Sequence, residues 1–190
     1  SIKSQLGSAS TLLNASGATN FKFGIVGKLT DQEITDLNEL GPKELLKTLS
    51  TLGLTAEFVE MYNEQFETNL KMIDSQMPQI IASLMLAYYS GKGTTMADLV
   101  EVITADDQLN YGKTATEIYS HKVKTMLTDV ALGMTPSKRW TGDYDATGGY
   151  IIVKSDGEIV CFHAYNREAF KDYLINSTKL ETASRSRHDF

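Results

Sequence analysis

Little in this sequence could build a covalent or metal-based framework. It contains 1 Cys and 3 His, and only 3 Pro. The lone cysteine, Cys161, cannot form a disulfide within the chain, and together with three scattered histidines it does not make a zinc-ligand set. We therefore expect a protein of a reducing, intracellular setting whose fold rests on a hydrophobic core.

Long apolar runs and an excess of positive charge are missing as well. No window approaches the ~18 consecutive apolar residues that a membrane span needs, and no segment resembles a signal peptide. We therefore expect the protein to be soluble and cytoplasmic. The formal net charge is -6, which argues mildly against nucleic acid as a partner, because DNA binding needs Lys and Arg near the phosphates. Local charge nevertheless matters more than total charge.

What is present is the composition of a packed globular protein, with 42% hydrophobic residues. A chain of 190 residues can bury one sizeable core. The sequence opens at Ser1 without an initiator Met and stops at Phe190 after a cluster of polar residues. We expect the chain to be truncated at both ends.

Residues 1–29 have the pattern of two strands joined by a polar loop. Residues 1–6 alternate, with Ser1, Lys3 and Gln5 in one polar row. Residues 8–20 are rich in small hydroxyl and amide side chains, and a strand pattern resumes over residues 19–26.

Residues 30–134 have mostly helical periodicity and predict a helical subdomain. A capping box begins at Thr30, and Pro42 suits the first turn of a second helix. Residues 55–74 form the longest periodic segment, which predicts a helix. Residues 79–89 are apolar nearly all round, which indicates a helix at the centre of a bundle. The expected helices cover residues 30–41, 42–53, 55–74, 79–89, 96–103 and 114–132.

Residues 135–190 change character again. Two β-rich runs, 150–153 and 159–165, flank Asp156-Gly157, a pair that is a strong hairpin signal. A helix is expected after Asn166. The predicted fold class is therefore α+β, with three segments: core strands and polar loop (1–29), helical subdomain (30–134), and hairpin, helix and basic segment (135–190).

The opening strand carries the clearest catalytic pattern. Nucleases of the PD-(D/E)XK type place an acidic residue and a lysine two positions apart on one strand, so that both point into one site. The carboxylate helps to hold Mg²⁺, and the ammonium group orients water or offsets charge on the phosphate. Ser1 and Lys3 have this spacing, although serine stands where the acid belongs. On spacing alone, a solvated surface lysine is the better explanation.

Two polar segments contain candidate DNA-contacting residues. Small polar groups in residues 8–20 could bind phosphate oxygens or a base edge, and a turn-rich connection is the alternative. Basic side chains near the end of the chain could read guanine or bind phosphate, and a solvated tail is the alternative. The candidates are Gln5, Ser10, Thr11, Asn14, Asn20, Lys179, Arg185, Arg187 and His188.

Two further motifs carry weaker signals. Trp140, with Lys138 and Arg139 beside it, could touch nucleic acid, although a single Trp near a turn more often packs at a boundary. Residues 91–95 (Gly-Lys-Gly-Thr-Thr) lack the leading glycine of a P-loop at the right distance and follow a helix instead of a strand. We exclude a nucleotide site there.

Four blocks of sequence resemble the HpaII-type restriction endonucleases. They are Ser-Ile-Lys-Ser-Gln-Leu-Gly at 1–7, Thr-Leu-Leu-Asn-Ala-Ser at 11–16 with Thr-Asn-Phe at 19–21, Thr-Gly-Gly-Tyr at 147–150, and Thr-Lys-Leu-Glu-Thr with Ser-Arg-His-Asp-Phe within 178–190. The resemblance brackets almost the whole chain. The first and last blocks are the specific ones.

The resemblance implies a type II restriction endonuclease of a restriction-modification system. Such an enzyme cleaves double-stranded DNA at a short palindrome with Mg²⁺, and CCGG is the site typical of the namesake. The implied fold is a partial restriction-endonuclease-like sheet with a large helical insertion. By position, Lys3 resembles the catalytic lysine and Ser1 stands in for the second acidic residue. The main metal-binding Asp is expected upstream of Ser1, so this fragment alone is expected to be inactive.

Two alternatives stay open on the residues. One is a DNA-binding module that has lost catalysis, and the other is a helical interaction domain without a nucleic-acid role, which the negative charge favours. Salt-dependent binding to duplex DNA would exclude the second. A palindromic target favours a homodimer, although some restriction enzymes act as monomers.

Overall fold

Short strands and α-helices make up the structure, which is a computed structural model. It describes residues 10–13, 19–143, 149–153, 156–163 and 167–181. The elements are β1 (Ser10–Leu12), β2 (Phe21–Val26), α1 (Asp31–Asn38), α2 (Pro42–Thr51), β3 (Thr55–Met61), α3 (Glu64–Ile73), α4 (Met77–Tyr89), α5 (Met96–Asp106), a 3-10 turn (Gly112–Thr114), α6 (Ala115–Ala131), β4 (Gly149–Val153), β5 (Ile159–His163), α7 (Arg167–Ser177) and β6 (Thr178–Leu180).

In the described ranges, the strands form three two-stranded sheets. β2 pairs with β3 and β4 pairs with β5, both antiparallel, whereas β1 pairs with β6 in parallel. The fold is therefore a mixed α/β arrangement of small sheets and several helices. The restriction-endonuclease-like description of the sheet stays a prediction.

Local start signals in the sequence produce the helices they predict. The Glu33 amide donates to Thr30 Oγ1 at 3.3 Å, and the Thr30 amide donates to Glu33 Oε2 at 2.8 Å, so the capping box forms at α1. Pro42 occupies the first turn of α2. The helices expected at 79–89, 96–103 and 114–132 are confirmed as α4, α5 and α6, within a few residues at each end.

The predicted hairpin and the helix after it are also confirmed. Gly157, with a φ of 86°, adopts the left-handed conformation that favours glycine in tight turns. The ring of Phe162 lies 5.9 Å from that of Phe170 and 6.0 Å from that of Tyr173, so β5 packs on α7.

The helix predicted over residues 55–74 is wrong in its first half, because residues 55–61 form strand β3. Apolar residues in this stretch suit a helix and a strand about equally by spacing, and contacts with β2 decide between them. The Phe58 ring lies 5.8 Å from that of Phe21 and 6.4 Å from that of Phe23. Asn63 then starts α3, its Oδ1 accepting the Phe66 amide at 3.1 Å.

Strands β1 and β6 were not predicted. β1 lies inside the expected polar loop, and β6 lies at the start of the expected basic segment. Each has three residues, too few to show alternation, and each depends on a partner near the opposite end of the sequence.

The core is centred on α4, as its apolar sequence predicts. Ile80, Ile81 and Leu84 are at most 1% exposed. The same hydrophobic cluster takes in Leu12 from β1 and Leu180 from β6, and so draws on all three predicted segments. Within the described ranges, no helix combines the length and apolar character that crossing a bilayer requires.

Candidate nucleic-acid interface

Two segments that we expect to contact DNA meet in the β1–β6 pair. The backbone of Ser10 lies opposite Thr178, and the backbone of Thr11 lies opposite Lys179. The amide of Glu181 donates to the carbonyl oxygen of Leu12 at 3.1 Å and extends the pairing. Candidate residues from both ends of the chain are thus side by side.

Buried leucines hold this pair against the core. Leu12 is 7% exposed and Leu180 is 3% exposed. Because side chains alternate along a strand, Thr178 and Leu180 face inward and Lys179 is left exposed. Lys179 makes no ion pair with another residue that the structure describes. Its ammonium group is therefore accessible to an anionic ligand.

Asn20, at the far end of the polar segment, is fixed beside the end of β3. Its carbonyl oxygen accepts a hydrogen bond from the amide of Tyr62 at 3.2 Å, and its side chain is half-buried. The preceding Thr19 is buried. The polar segment is therefore anchored to the rest of the protein at two places, by the buried Leu12 and by the buried Thr19.

The other predicted site residues lie outside the part of the chain that the structure describes. Their roles stay predictions, and for Ser10 and Thr11 only the backbone is described. The residues outside are Ser1, Lys3, Gln5, Asn14, Arg185, Arg187 and His188.

A buried asparagine, Asn69, was missed by the sequence reasoning. It is 0% exposed and lies on the apolar face of α3 between Phe66 and Leu70. Its Nδ2 donates to the carbonyl oxygens of Thr135 at 3.0 Å and Lys138 at 2.7 Å. A polar residue on an otherwise apolar helix face is the signal that could have revealed it.

A half-buried polar cluster, also missed, joins the end of α3 to α6. Lys122 Nζ donates to Asp74 Oδ1 at 2.8 Å, Tyr111 Oη at 2.8 Å and Gln76 Oε1 at 3.2 Å. Burial alone would lower the pKa of Lys122, but the hydrogen bonds to Asp74 and Tyr111 outweigh it and raise the pKa. The cluster satisfies all three ammonium donors and cross-links elements that are distant in sequence.

Residues 91–95, where a nucleotide site was excluded, contain a helix cap. The amides of Thr94 and Thr95 donate to Asp98 Oδ2 at 3.0 and 2.9 Å. These hydrogen bonds lower the pKa of Asp98 to about 2. A carboxylate of the chain itself thus occupies amides that a phosphate would need.

The described residues do not form a magnesium site by themselves. No group of three or more His, Cys, Asp or Glu side chains that could hold a metal ion occurs in the ranges described. A hard cation such as Mg²⁺ needs several oxygen ligands. We therefore assign no described residue as a metal ligand.

Comparison with known proteins shows which family this chain resembles in sequence. A family model described as HpaII restriction endonuclease matches residues 1–190. The type II restriction enzyme HpaII of Haemophilus parainfluenzae is 48% identical over 192 residues, which cover 100% of this chain and 53% of that enzyme. The chain thus spans about half the length of the curated relative. No solved structure matches the chain.

Proposed function

Because the chain belongs to the HpaII restriction endonuclease family, we propose that it acts in type II restriction, the site-specific cleavage of double-stranded DNA. The observation that carries the proposal is the family match along the whole chain, which includes the stretch with Lys3. Since the chain spans about half of its relative, the activity proposed is that of the full-length gene product.

The proposed DNA contacts come from both ends of the chain. Lys179 is exposed beside Thr11 in the β1–β6 pair, and this arrangement supports a joint surface made by the polar segment and the basic segment. In this proposal Arg185, Arg187 and His188 continue the surface beyond β6. Arg and His side chains would read bases or bind phosphates there, and the small polar groups of residues 8–20 would lie beside the scissile phosphate.

Lys3 is the residue to which we assign catalysis. Hydrolysis of a phosphodiester adds water at phosphorus and breaks the bond to one sugar oxygen, while negative charge grows on the phosphate oxygens. An ammonium group beside that phosphate stabilises the transition state more than the bound substrate, and so raises the rate of cleavage. Ser1 would flank it in place of an acidic residue.

The remaining parts of the proposal come from the family. We propose Mg²⁺ as the cofactor, with its ligands outside the described residues, and CCGG as the target. A palindromic target suits a homodimer, in which two identical sites face the two strands. The cytoplasm, where the DNA to be cleaved is found, is the proposed location.

Replacing the proposed catalytic lysine tests this function. In the full-length gene product, Lys3→Ala should abolish Mg²⁺-dependent cleavage of a duplex containing CCGG, while affinity for that duplex stays within about tenfold, because the lysine acts mainly in the transition state. Cleavage is followed on a gel, and binding is measured with EDTA present.

A matched control removes an exposed lysine that is not among the proposed site residues. Lys113 is exposed in the 3-10 turn, and Lys113→Ala should cleave as the wild type does. Equal loss of binding and cleavage in Lys3→Ala would show a structural or binding role for Lys3. Failure of the unchanged protein to cut any duplex would refute the proposed function itself.

A further inference from the structure

The loop between α6 and β4 presents two adjacent positive charges to solvent. We call residues 134–140 the Lys138–Arg139 loop. Met134 is buried at its start, Trp140 is half-buried and packs against the core at its end, and Lys138 and Arg139 between them are exposed. The Trp therefore packs at a boundary, while the two basic side chains stay accessible.

Asn69 holds the backbone of this loop in one conformation. Besides its two bonds to the Thr135 and Lys138 carbonyl oxygens, its Oδ1 accepts the amide of Trp140 at 2.9 Å. The bonds to Lys138 and Trp140 lie on either side of Arg139. A loop fixed in this way pays little additional conformational entropy when it binds a ligand.

The loop is tied to the same junction that fixes Asn20. The Tyr62 amide bonds to the Asn20 carbonyl, and the next residue, Asn63, donates from Nδ2 to the Pro136 carbonyl oxygen at 3.4 Å. Tyr62 and Asn63, two consecutive residues between β3 and α3, thus contact the predicted DNA-binding segment and the Lys138–Arg139 loop, respectively.

Neither basic side chain of the loop is neutralised by the part of the protein that the structure describes. Lys138 and Arg139 make no ion pair with a described residue. Other cations do find carboxylates, as Lys71 does with Glu67 on α3 at 2.6 Å. In a chain of net charge -6, two exposed cations that stand on a fixed backbone and pair with no described residue are suited to binding an external polyanion.

We propose that Lys138 and Arg139 bind backbone phosphates of duplex DNA, beside the predicted DNA-binding segment that ends at Asn20. The inference rests on the proposed function and adds residues to it. The contact is independent of base sequence, because phosphates are the same at every step of the duplex.

Salt dependence of binding distinguishes phosphate contacts from other roles. The variants Lys138→Gln and Arg139→Gln each remove one charge from an exposed position, so the fold is retained. Binding of the full-length gene product to duplexes with and without CCGG is measured across a range of salt concentrations, with EDTA present. Lys113→Gln is the matched control, because Lys113 is also exposed but lies away from the Lys138–Arg139 loop. The neighbouring Tyr111 bonds to Gln76, just beyond the C-terminal end of α3, whereas the loop contacts Asn63 before its N-terminal end.

In each loop variant, the fall of log affinity with log salt should be less steep than in the wild type by about 0.9. The ratio of wild-type to variant affinity should therefore become about 3.5-fold smaller between about 50 and about 200 mM salt. The deficit should be equal on both duplexes, and Lys113→Gln should match the wild type. An unchanged slope, a deficit confined to the CCGG duplex, or an equal effect of Lys113→Gln overturns the inference. If one of these three results is obtained and the wild type still binds DNA, only the inference about the loop is wrong and the proposed function stands. If the wild type binds no duplex, the inference and the proposed function are both wrong.

Discussion

At the scale of single residues, the protein tolerates a fully buried asparagine because every polar atom of that side chain has a partner. The Nδ2 of Asn69 donates twice, and its Oδ1 accepts from Gln65 Nε2 at 3.0 Å as well as from the Trp140 amide. These bonds use the full capacity of an amide side chain. Buried polar groups cost little when satisfied in this way and much when a partner is removed.

Replacing Asn69 with Ala should therefore destabilise the protein by about 3 kcal/mol, because the carbonyl oxygens of Thr135 and Lys138 and the amide of Trp140 lose their hydrogen bonds to this buried side chain. Urea unfolding of both proteins measures the difference. Asn176→Ala is the control, since Asn176 is exposed on α7, and it should cost less than about 0.5 kcal/mol. Similar costs for the two variants would contradict the anchoring role of Asn69.

At the scale of elements, β1 and β6 depend on packing more than on pairing. Two strands of three residues cannot be stable alone. What holds them is the burial of Leu12 and Leu180 in the main cluster, which leaves Lys179 in solvent between two inward positions. Strand β6, which we propose contacts DNA through Lys179, is thus held in place by packing of its neighbouring residues against the core.

Two adjacent positions in β6 should consequently respond in opposite ways. Leu180→Ala should reduce the free energy of unfolding by about 2–5 kcal/mol, because it empties a buried site. Lys179→Ala should change stability by less than about 0.5 kcal/mol and should weaken binding to duplex DNA.

Urea unfolding and DNA titration of both variants separate these effects. A large loss of stability in Lys179→Ala would mean that its side chain is part of the packing. Unchanged DNA affinity in that variant would remove β6 from the interface.

At the scale of the whole molecule, one hydrophobic cluster connects segments that the sequence separates. Phe21 from the first predicted segment, Leu84 from the second and Ile175 from the third belong to it. The division at 29/30 and 134/135 remains a proposal about function, in which residues 1–29 form core strands, residues 30–134 form a scaffold and residues 135–190 contact DNA. A shared core predicts that these segments unfold together.

Native-state hydrogen exchange in the full-length gene product should show this coupling. Peptides from β2, α4 and α7 should lose their protection at the same denaturant concentration and with the same free energy of opening, because each contributes to one cluster. Clearly different free energies for the three peptides would mean that the segments are separate cooperative units.

Local chemistry in the sequence determined the helix starts at Thr30 and Pro42, the Asp156-Gly157 hairpin and the burial of α4, since each depends on residues a few positions apart. Four blocks of sequence together indicated the family, and those at 1–7 and within 178–190 are the specific ones. The assignment of catalysis to Lys3 likewise comes from sequence and is still a prediction.

Tertiary structure alone decided what depends on distant partners. Residues 55–61 are a strand because Phe58 packs on Phe21 and Phe23, although their spacing suits a helix as well. The β1–β6 pairing and the anchoring of the Lys138–Arg139 loop by Asn69 join residues far apart in sequence. No periodicity within a short window can reveal such contacts, because their free energy comes from burial and hydrogen bonding between elements.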